Sequence, residues 1–329
     1  MTAAGPAAPG GAIARPAAPG IRLRAPSVQL PRGSGGRTLP QMLRDNARSF
    51  GPRPALRSKR GGLWRTLDWA ALWAATRRAA AGLSALGLGR GEVLMILSEN
   101  REEAWIAQLA AGCLGAVAVA VYPDAGAEEV AHVIAHAGVA MALAEDQEQV
   151  DKILARPDAA ARLRRILHVD PRGLWDYRAA GLTGWDEMLA AGRDGPWLDE
   201  AIAAAGPEDV AVYCYTSGTT GRPKAAMLSH AFVLDNAYRL MGALGIRAGG
   251  NYLSYISPAW AAEQFFGVGL VLLAPLVVHV AEKPETVQKD LREIGPEFLM
   301  FTPRQWEMLA SNVEARMMDA PAWRQRLFA

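Results

Sequence analysis

Nine consecutive residues concentrate the chemistry of this chain: Thr216, Ser217, Gly218, Thr219, Thr220, Gly221, Arg222, Pro223 and Lys224. The four hydroxyls supply hydrogen-bond donors. Gly218 and Gly221 permit backbone conformations that turn N–H groups inward without a side chain in the way. Lys224 adds a mobile positive charge, and Pro223 stiffens its approach. A polyanionic phosphate chain needs this combination of many donors, little bulk and one cation. The plain alternative is a polar surface turn, but such a turn has no need of donors this dense between two apolar runs. The segment is therefore expected to cradle nucleotide phosphates, with Thr216 to Gly221 and Lys224 as binding residues and Lys224 also as the catalytic candidate.

The loop is not of the Walker type. That motif places Gly directly before Lys, a Ser or Thr after it, and starts a helix there. Here Arg222 and Pro223 separate Gly221 from Lys224, and Ala225 follows. Kinase-like and motor-type chemistry is disfavoured.

Other candidate groups carry weaker signals. His132 and His136 share a helical face at metal-ligand spacing, but no HExxH glutamate or third ligand accompanies them, so no metal site is expected. His230 reads as a helix-start residue rather than a base. Gly87-Leu-Gly-Arg-Gly91 lies after a helix and before a strand, the reverse of a dinucleotide fingerprint, and reads as a turn. No Gly-x-Ser-x-Gly elbow supports an esterase.

The elements that must hold the loop alternate between helix and strand. Asp68 is placed to cap a helix ending at Gly87–Gly91, and Val93–Leu97 reads as a buried strand. Asn100 is placed to cap a helix reaching about Leu114, followed by strand Val117–Val121, helix Ala127–Ala137, and short strands at 141–143 and 166–169. Asp209 to Tyr215 is a strand leading into the loop, Ala225 to Leu228 another leading out, and Ser229 a cap for the next helix. Further candidates are a strand at 252–256, a helix at 260–273, and strands at 276–280 and 298–301. Alternation with short turns predicts an α/β fold with parallel-type sheets covered on both faces. The expected organisation is a disordered Ala/Pro/Gly-rich tail over 1–37, a first α/β subdomain over 38–205, and a second over 206–329 carrying the loop.

With those residues in view, Tyr215 to Lys224 resembles the signature of the AMP-forming adenylate-forming superfamily, which includes acyl-CoA synthetases, luciferases and peptide-synthetase adenylation domains. Thr38-Leu-Pro-Gln-Met-Leu43, Ile96-Leu-Ser-Glu-Asn-Arg101 with Trp105, and Ala144 to Val150 are similar to bacterial long-chain acyl-CoA synthetases. So are Trp260-Ala-Ala-Glu263-Gln264 and Thr302-Pro-Arg304-Gln-Trp306. The resemblance covers nearly everything after the tail. It implies attack of a fatty-acid carboxylate on the α-phosphate of ATP, release of pyrophosphate, and transfer of the acyl group to coenzyme A. The loop would hold the β- and γ-phosphates, with Mg2+ arriving on ATP. Trp260 and Glu263 would lie near the acyl pocket; the bland alternative is a core tryptophan and a helix-surface glutamate. Arg304 would reach the substrate carboxylate or the phosphates, with a structural salt bridge as its alternative.

Two departures from the family pattern qualify this. Ala225 stands where the family usually has Gly, and a methyl group there is expected to be tolerated in a strand. The family's Tyr-Gly-x-Thr-Glu segment, ribose-binding aspartate, hinge and terminal catalytic lysine are absent before Ala329. The expectation is an incomplete, truncated large domain. A non-catalytic remnant that binds nucleotide weakly or acts as an interaction partner is the alternative.

Composition narrows the remaining choices. The 35 basic residues nearly balance the 33 acidic ones, which argues against a nucleic-acid binder. The longest apolar stretch, 265–278 with Pro275 inside it, is too short to span a bilayer and predicts a buried helix followed by a buried strand. No transmembrane segment is expected, while peripheral membrane contact and oligomeric state stay open. Cys113 and Cys214 sit in apolar runs and read as buried thiols. Arg15, Arg22, Arg24, Arg32 and Arg37 punctuate an acid-free start, but its repeated Pro and Gly would break a transit-peptide helix, which leaves the cytoplasm as the expected address.

Overall fold

A computed structural model describes residues 35–179, 181–216 and 222–324. Nearly all of the tail expected over 1–37 lies outside the described residues, as do Ser217, Gly218, Thr219, Thr220 and Gly221. The first element described is helix Leu39–Phe50. Thr38 accepts from Gln41 N, and the Gln41 side chain returns to Thr38 N, so the first turn's orphan donors are satisfied reciprocally. Its buried face includes Leu39, Leu43 and Asn46, and the Asn46 amide donates to Leu272 O at 2.7 Å. That bond fastens the first helix to an element more than two hundred residues away.

Among the described residues eleven strands follow: β1 Pro54–Arg60, β2 Leu63–Asp68, β3 Val93–Leu97, β4 Val117–Val121, β5 Val139–Ala144, β6 Arg165–His168, β7 Leu182–Gly184, β8 Val210–Thr216, β9 Lys224–Ser229, β10 Asn251–Ser254 and β11 Val277–Val280. They form a seven-stranded sheet in the order β7-β6-β5-β3-β4-β8-β9 and a four-stranded sheet in the order β10-β11-β1-β2. All neighbours pair in parallel except β8 with β9 and β1 with β2. The α/β class with parallel-type sheets is thus observed, with an antiparallel hairpin at one edge of each sheet. Residues on both sides of position 205 contribute to each sheet: β8 and β9 join the larger one, and β1 pairs with β11 in the smaller.

The central strands are buried on both faces, which is why their sequences are continuous apolar runs rather than alternating ones. Val93, Met95 and Leu97 enter one core with Val117, Val119 and Val121, while Leu94, Ile96 and Ala118 enter the other. Successive side chains of one strand point to opposite faces, so a single run of five residues stitches two cores together. Each such aliphatic side chain contributes about 1.5–3 kcal/mol by its burial.

Several expectations are corrected. Asn100 does not cap helix Glu102–Cys113; Arg101 takes that position with no side-chain cap bond, and the Asn100 amide is spent elsewhere. The helix expected over 260–273 is α-helical only at Ala261–Glu263 and Val271–Leu273, with a π-helical stretch over Gln264–Leu270 between them. The strand expected at 298–301 is irregular chain whose aromatic residues pack instead of pairing. Asp68 and Ser229 do cap their helices, accepting from Ala71 N and Phe232 N. Cys113 and Cys214 are buried thiols not joined to each other, both pushed up to about 12 chiefly by burial.

Candidate functional site

The loop emerges from the carboxyl end of β8 and returns as β9. Tyr215 pairs with Ala225, and Thr216 with Lys224 closes the ladder. The two stems of the loop are therefore held side by side, with Thr216 and Lys224 exposed at its mouth. Ala225 sits within the ladder, its methyl group accommodated by extended backbone. Of the expected phosphate-binding residues, Thr216 and Lys224 are brought together at the base. Tyr213 and Cys214 just upstream are buried and fix β8 in the core.

Helix Ala127–Ala137 approaches this hairpin through His132 and His136. Their rings stack at 5.3 Å, and each meets the Tyr215 ring edge-on. His132 Nε2 lies 3.0 Å from Pro223 O, and His136 Nδ1 lies 2.7 Å from the Tyr215 hydroxyl. The i, i+4 spacing that raised a metal reading thus has polar partners in both stems of the loop. No group of three or more potential ligands that could hold a metal occurs among the described residues.

Trp260 and Glu263 invert their bland alternative. Trp260 is 40% exposed, whereas Glu263 is 2% exposed. The Tyr252 hydroxyl donates to Glu263 Oε2 at 2.6 Å, and the Ser254 hydroxyl to Oε1 at 2.5 Å. Burial still dominates, and the carboxyl is pushed up to about 8 even though both hydrogen bonds favour its ionised form. Ser254 Oγ accepts from Asn100 Nδ2 at 2.7 Å, and the same amide donates to Ile256 O at 2.9 Å. Nearby, Trp105 Nε1 donates to Gly267 O at 3.1 Å, and Gln108 and Gln264 exchange hydrogen bonds. A Cβ on Gly267 would stand 1.8 Å from Glu263 Oε1, so this position has room only for glycine while the carboxyl is there. Sequence reasoning missed Asn100, Ser254 and Tyr252 as a set because Asn100 follows β3 while Tyr252 and Ser254 lie on β10; a buried acid needs such donors, and burial of Glu263 is the missing signal.

Two further segments of the resemblance converge on the same end of the sheet. Arg101 Nη1 donates to Glu145 Oε1 at 2.7 Å, and Glu99 N to Glu145 Oε2 at 2.8 Å, which joins the ends of β3 and β5. Thr302 caps helix Pro303–Met318 with Gln305. Arg304 stands exposed in its first turn and makes no salt bridge among the described residues, so the ion-pair alternative for it is not realised. Phe301 packs edge-on against both Trp306 and Tyr255, placing this helix start next to the end of β10.

A cavity of about 380 Å³ opens at the carboxyl ends of β3, β5 and β11. β4 and β5 flank β3 on opposite sides, so the cavity sits at a topological switch point, where α/β sheets commonly bind ligands. Four of its five lining cations are committed to carboxylates, Lys59 to Asp290 and Glu293, Arg60 to Glu103, Arg101 to Glu145 and Arg172 to Asp170, while the fifth, Lys283, shares the lining with the further acids Glu99, Glu102, Asp146 and Glu282. A polyphosphate finds better complementarity at the hydroxyl- and lysine-bearing hairpin than at this neutralised rim.

Parallel sheets, a donor-rich hairpin loop at a carboxyl edge and a neighbouring buried polar network define a class: an α/β protein built like the N-terminal domain of adenylate-forming enzymes. The chain belongs to the AMP-binding enzyme family, whose sequence model matches residues 43–328. It is 30% identical over 306 residues to the long-chain-fatty-acid–CoA ligase ACSBG2 of Rattus norvegicus, a match covering 89% of this chain and 45% of that protein. The putative fatty-acid–CoA ligase fadD11 of Mycobacterium tuberculosis is 31% identical over 140 residues, covering 42% of this chain and 24% of that one. The chain thus spans about half the length of the ACSBG2 relatives it matches. In fold it is similar to the long-chain-fatty-acid–CoA ligase FadD1 of Archaeoglobus fulgidus, with a TM-score of 0.70 at 19% identity over 90% of this chain and 57% of that one. It is likewise similar to VinN, with a TM-score of 0.67 at 22% identity over 85% of this chain and 64% of that one.

Proposed function

We propose that this chain supplies the ATP-phosphate loop and part of the acyl pocket of an enzyme that converts a long-chain fatty acid to its acyl-adenylate and then to its coenzyme A thioester. The observation that carries the reading is the hairpin, with Thr216 opposite Lys224 at the mouth of a loop rich in hydroxyls and glycine. Ser217 to Gly221 would surround the β- and γ-phosphates, Thr216 would add its hydroxyl at the rim, and Lys224 would neutralise charge as pyrophosphate departs. Holding carboxylate and triphosphate in line is chiefly a matter of positioning and charge, which a lysine and oriented donors provide. Magnesium would arrive with ATP as part of the substrate. Trp260, exposed, and Arg304, exposed at a helix start, would meet the acyl group and its carboxylate, while Glu263 supports them from within. No helix among the described residues is long and apolar enough to cross a membrane. We place the reaction in the cytoplasm, on small-molecule substrates.

Fatty-acid-dependent exchange of pyrophosphate into ATP tests the reading. Exchange that requires added long-chain acid and is lost in Lys224→Ala supports it. MgATP binding without exchange at any chain length would instead leave a nucleotide-binding role without adenylation.

A further inference from the structure

We propose that His132 and His136 are positioning residues for the phosphate loop, gripping both stems of its hairpin from helix Ala127–Ala137. The proposal rests on the phosphate reading of the loop and adds to it the device that holds the loop's shape.

The helical repeat puts both imidazoles on one face, and their rings stack at 5.3 Å and 29°. His132 reaches the outgoing stem. Its Nε2 is 3.0 Å from Pro223 O, a carbonyl that can only accept, so Nε2 carries the proton in that bond. Pro223 has no N–H and directly precedes Lys224, and its carbonyl lies beyond the last paired residues of the β8–β9 ladder. His136 reaches the incoming stem. Its Nδ1 is 2.7 Å from the hydroxyl of Tyr215, the residue directly before Thr216. Burial keeps the Tyr215 phenol protonated, and burial followed by the His132 ring pulls His136 below its usual range. A tyrosine O–H donating to a neutral Nδ1 fits both. The Tyr215 ring fills the angle between them, edge-on to His132 at 6.3 Å and to His136 at 5.7 Å.

The mechanical need is plain from the topology. β9 is an edge strand of the seven-stranded sheet, and the segment it shares with β8 leads into a sequence holding two glycines. Glycine loops lose much conformational freedom when they close on a ligand, so fixing both stems beforehand lowers that loss and raises affinity. The helix bearing the histidines is itself anchored by Val130, Val133, Ile134 and Ala137 in the core. A helix anchored in the core therefore holds the two stems of the phosphate loop at Tyr215 and Pro223.

Hydrogen exchange of the whole chain, followed by mass spectrometry, tests this in the absence of nucleotide. Exchange in the peptide covering 213–226 should rise about tenfold in His132→Ala/His136→Ala, as expected from losing hydrogen bonds of ordinary strength. Exchange in β3 and β4 should stay unchanged, and Tyr215→Phe should produce part of the same loosening with the ring retained. His132→Gln, whose amide can donate to the same carbonyl, should restore most of the protection at that stem. MgATP affinity measured by calorimetry should weaken about five- to tenfold in the double variant. Hairpin exchange unchanged in both the double variant and Tyr215→Phe overturns the proposal. Wild-type MgATP affinity in Lys224→Ala overturns the phosphate reading beneath it instead, and the exchange measurement distinguishes the two failures.

Discussion

The Asn100 side-chain amide donates to Ser254 Oγ at 2.7 Å, and this bond ties the carboxyl end of β3 to the end of β10 in the other sheet. Ser254 passes the connection to Glu263, and Tyr252 closes on the same carboxyl. A buried acid thus links two sheets and the π-helical segment beside the proposed acyl pocket. Its two donors both come from β10, and the long-range tie is the Asn100–Ser254 bond behind them.

The pH dependence of folding should report that acid. Burial pushes Glu263 up to about 8 from 4.5, and pushes His230 and His279 down to about 4 from 6.5. For the histidines the folded state binds fewer protons, so their stabilisation is present above pH 6.5 and is lost as pH falls toward 4. For Glu263 the folded state binds more protons, so its contribution is present below 4.5 and is lost as pH rises through 8. Between pH 6.5 and 8, denaturant titrations should show Glu263→Gln less sensitive to rising pH than the wild type. Identical slopes would contradict a carboxyl held protonated in the fold.

Gly267→Ala should destabilise the protein by about 1–3 kcal/mol, the usual range for overpacking. The added methyl would stand 1.8 Å from Glu263 Oε1, in a helix with little room to yield. Thermal or urea melts of the variant decide this, and an unshifted midpoint would show that Glu263 moves aside at little cost.

Asp290→Ala should cost about 3–5 kcal/mol, because breaking one side of a buried ion pair strands the other charge. Lys59 is 5% exposed and Asp290 fully buried, with Nζ 2.7 Å from Oδ1. Glu293 remains as a second partner at 2.5 Å, which places the loss at the lower end of that range. Replacing both residues, Lys59→Met with Asp290→Leu, should recover much of it.

What was legible in the sequence follows from where the burial is continuous. β3, β4 and β8 stand out as apolar runs bounded by turns, and the loop reads directly from its residue types. The hairpin of β1 and β2 is invisible because Arg57, Ser58, Lys59, Arg60 and Arg65 break any apolar pattern, Lys59 being buried only by its ion pair, and β2 has no buried residue. Its one local signal is Gly61-Gly62, both at positive φ, which make the two-residue connection. Asn100 looked like a helix cap because the residue type favours that role, yet its amide serves Ser254 and Ile256 from a distant segment. Likewise nothing local distinguishes Glu263 from a surface glutamate. Distant partners decide the case of Asn100, and burial against β10 decides that of Glu263; a linear reading contains neither.

The most direct test of the central claim is the dissociation constant of MgATP for the wild-type chain and for Lys224→Ala, measured by calorimetry at fixed salt. Loss of a charge-assisted bond of about 1.5–3 kcal/mol predicts weakening by roughly ten- to a hundredfold. An unchanged constant would contradict the assignment of this hairpin as the ATP-phosphate site.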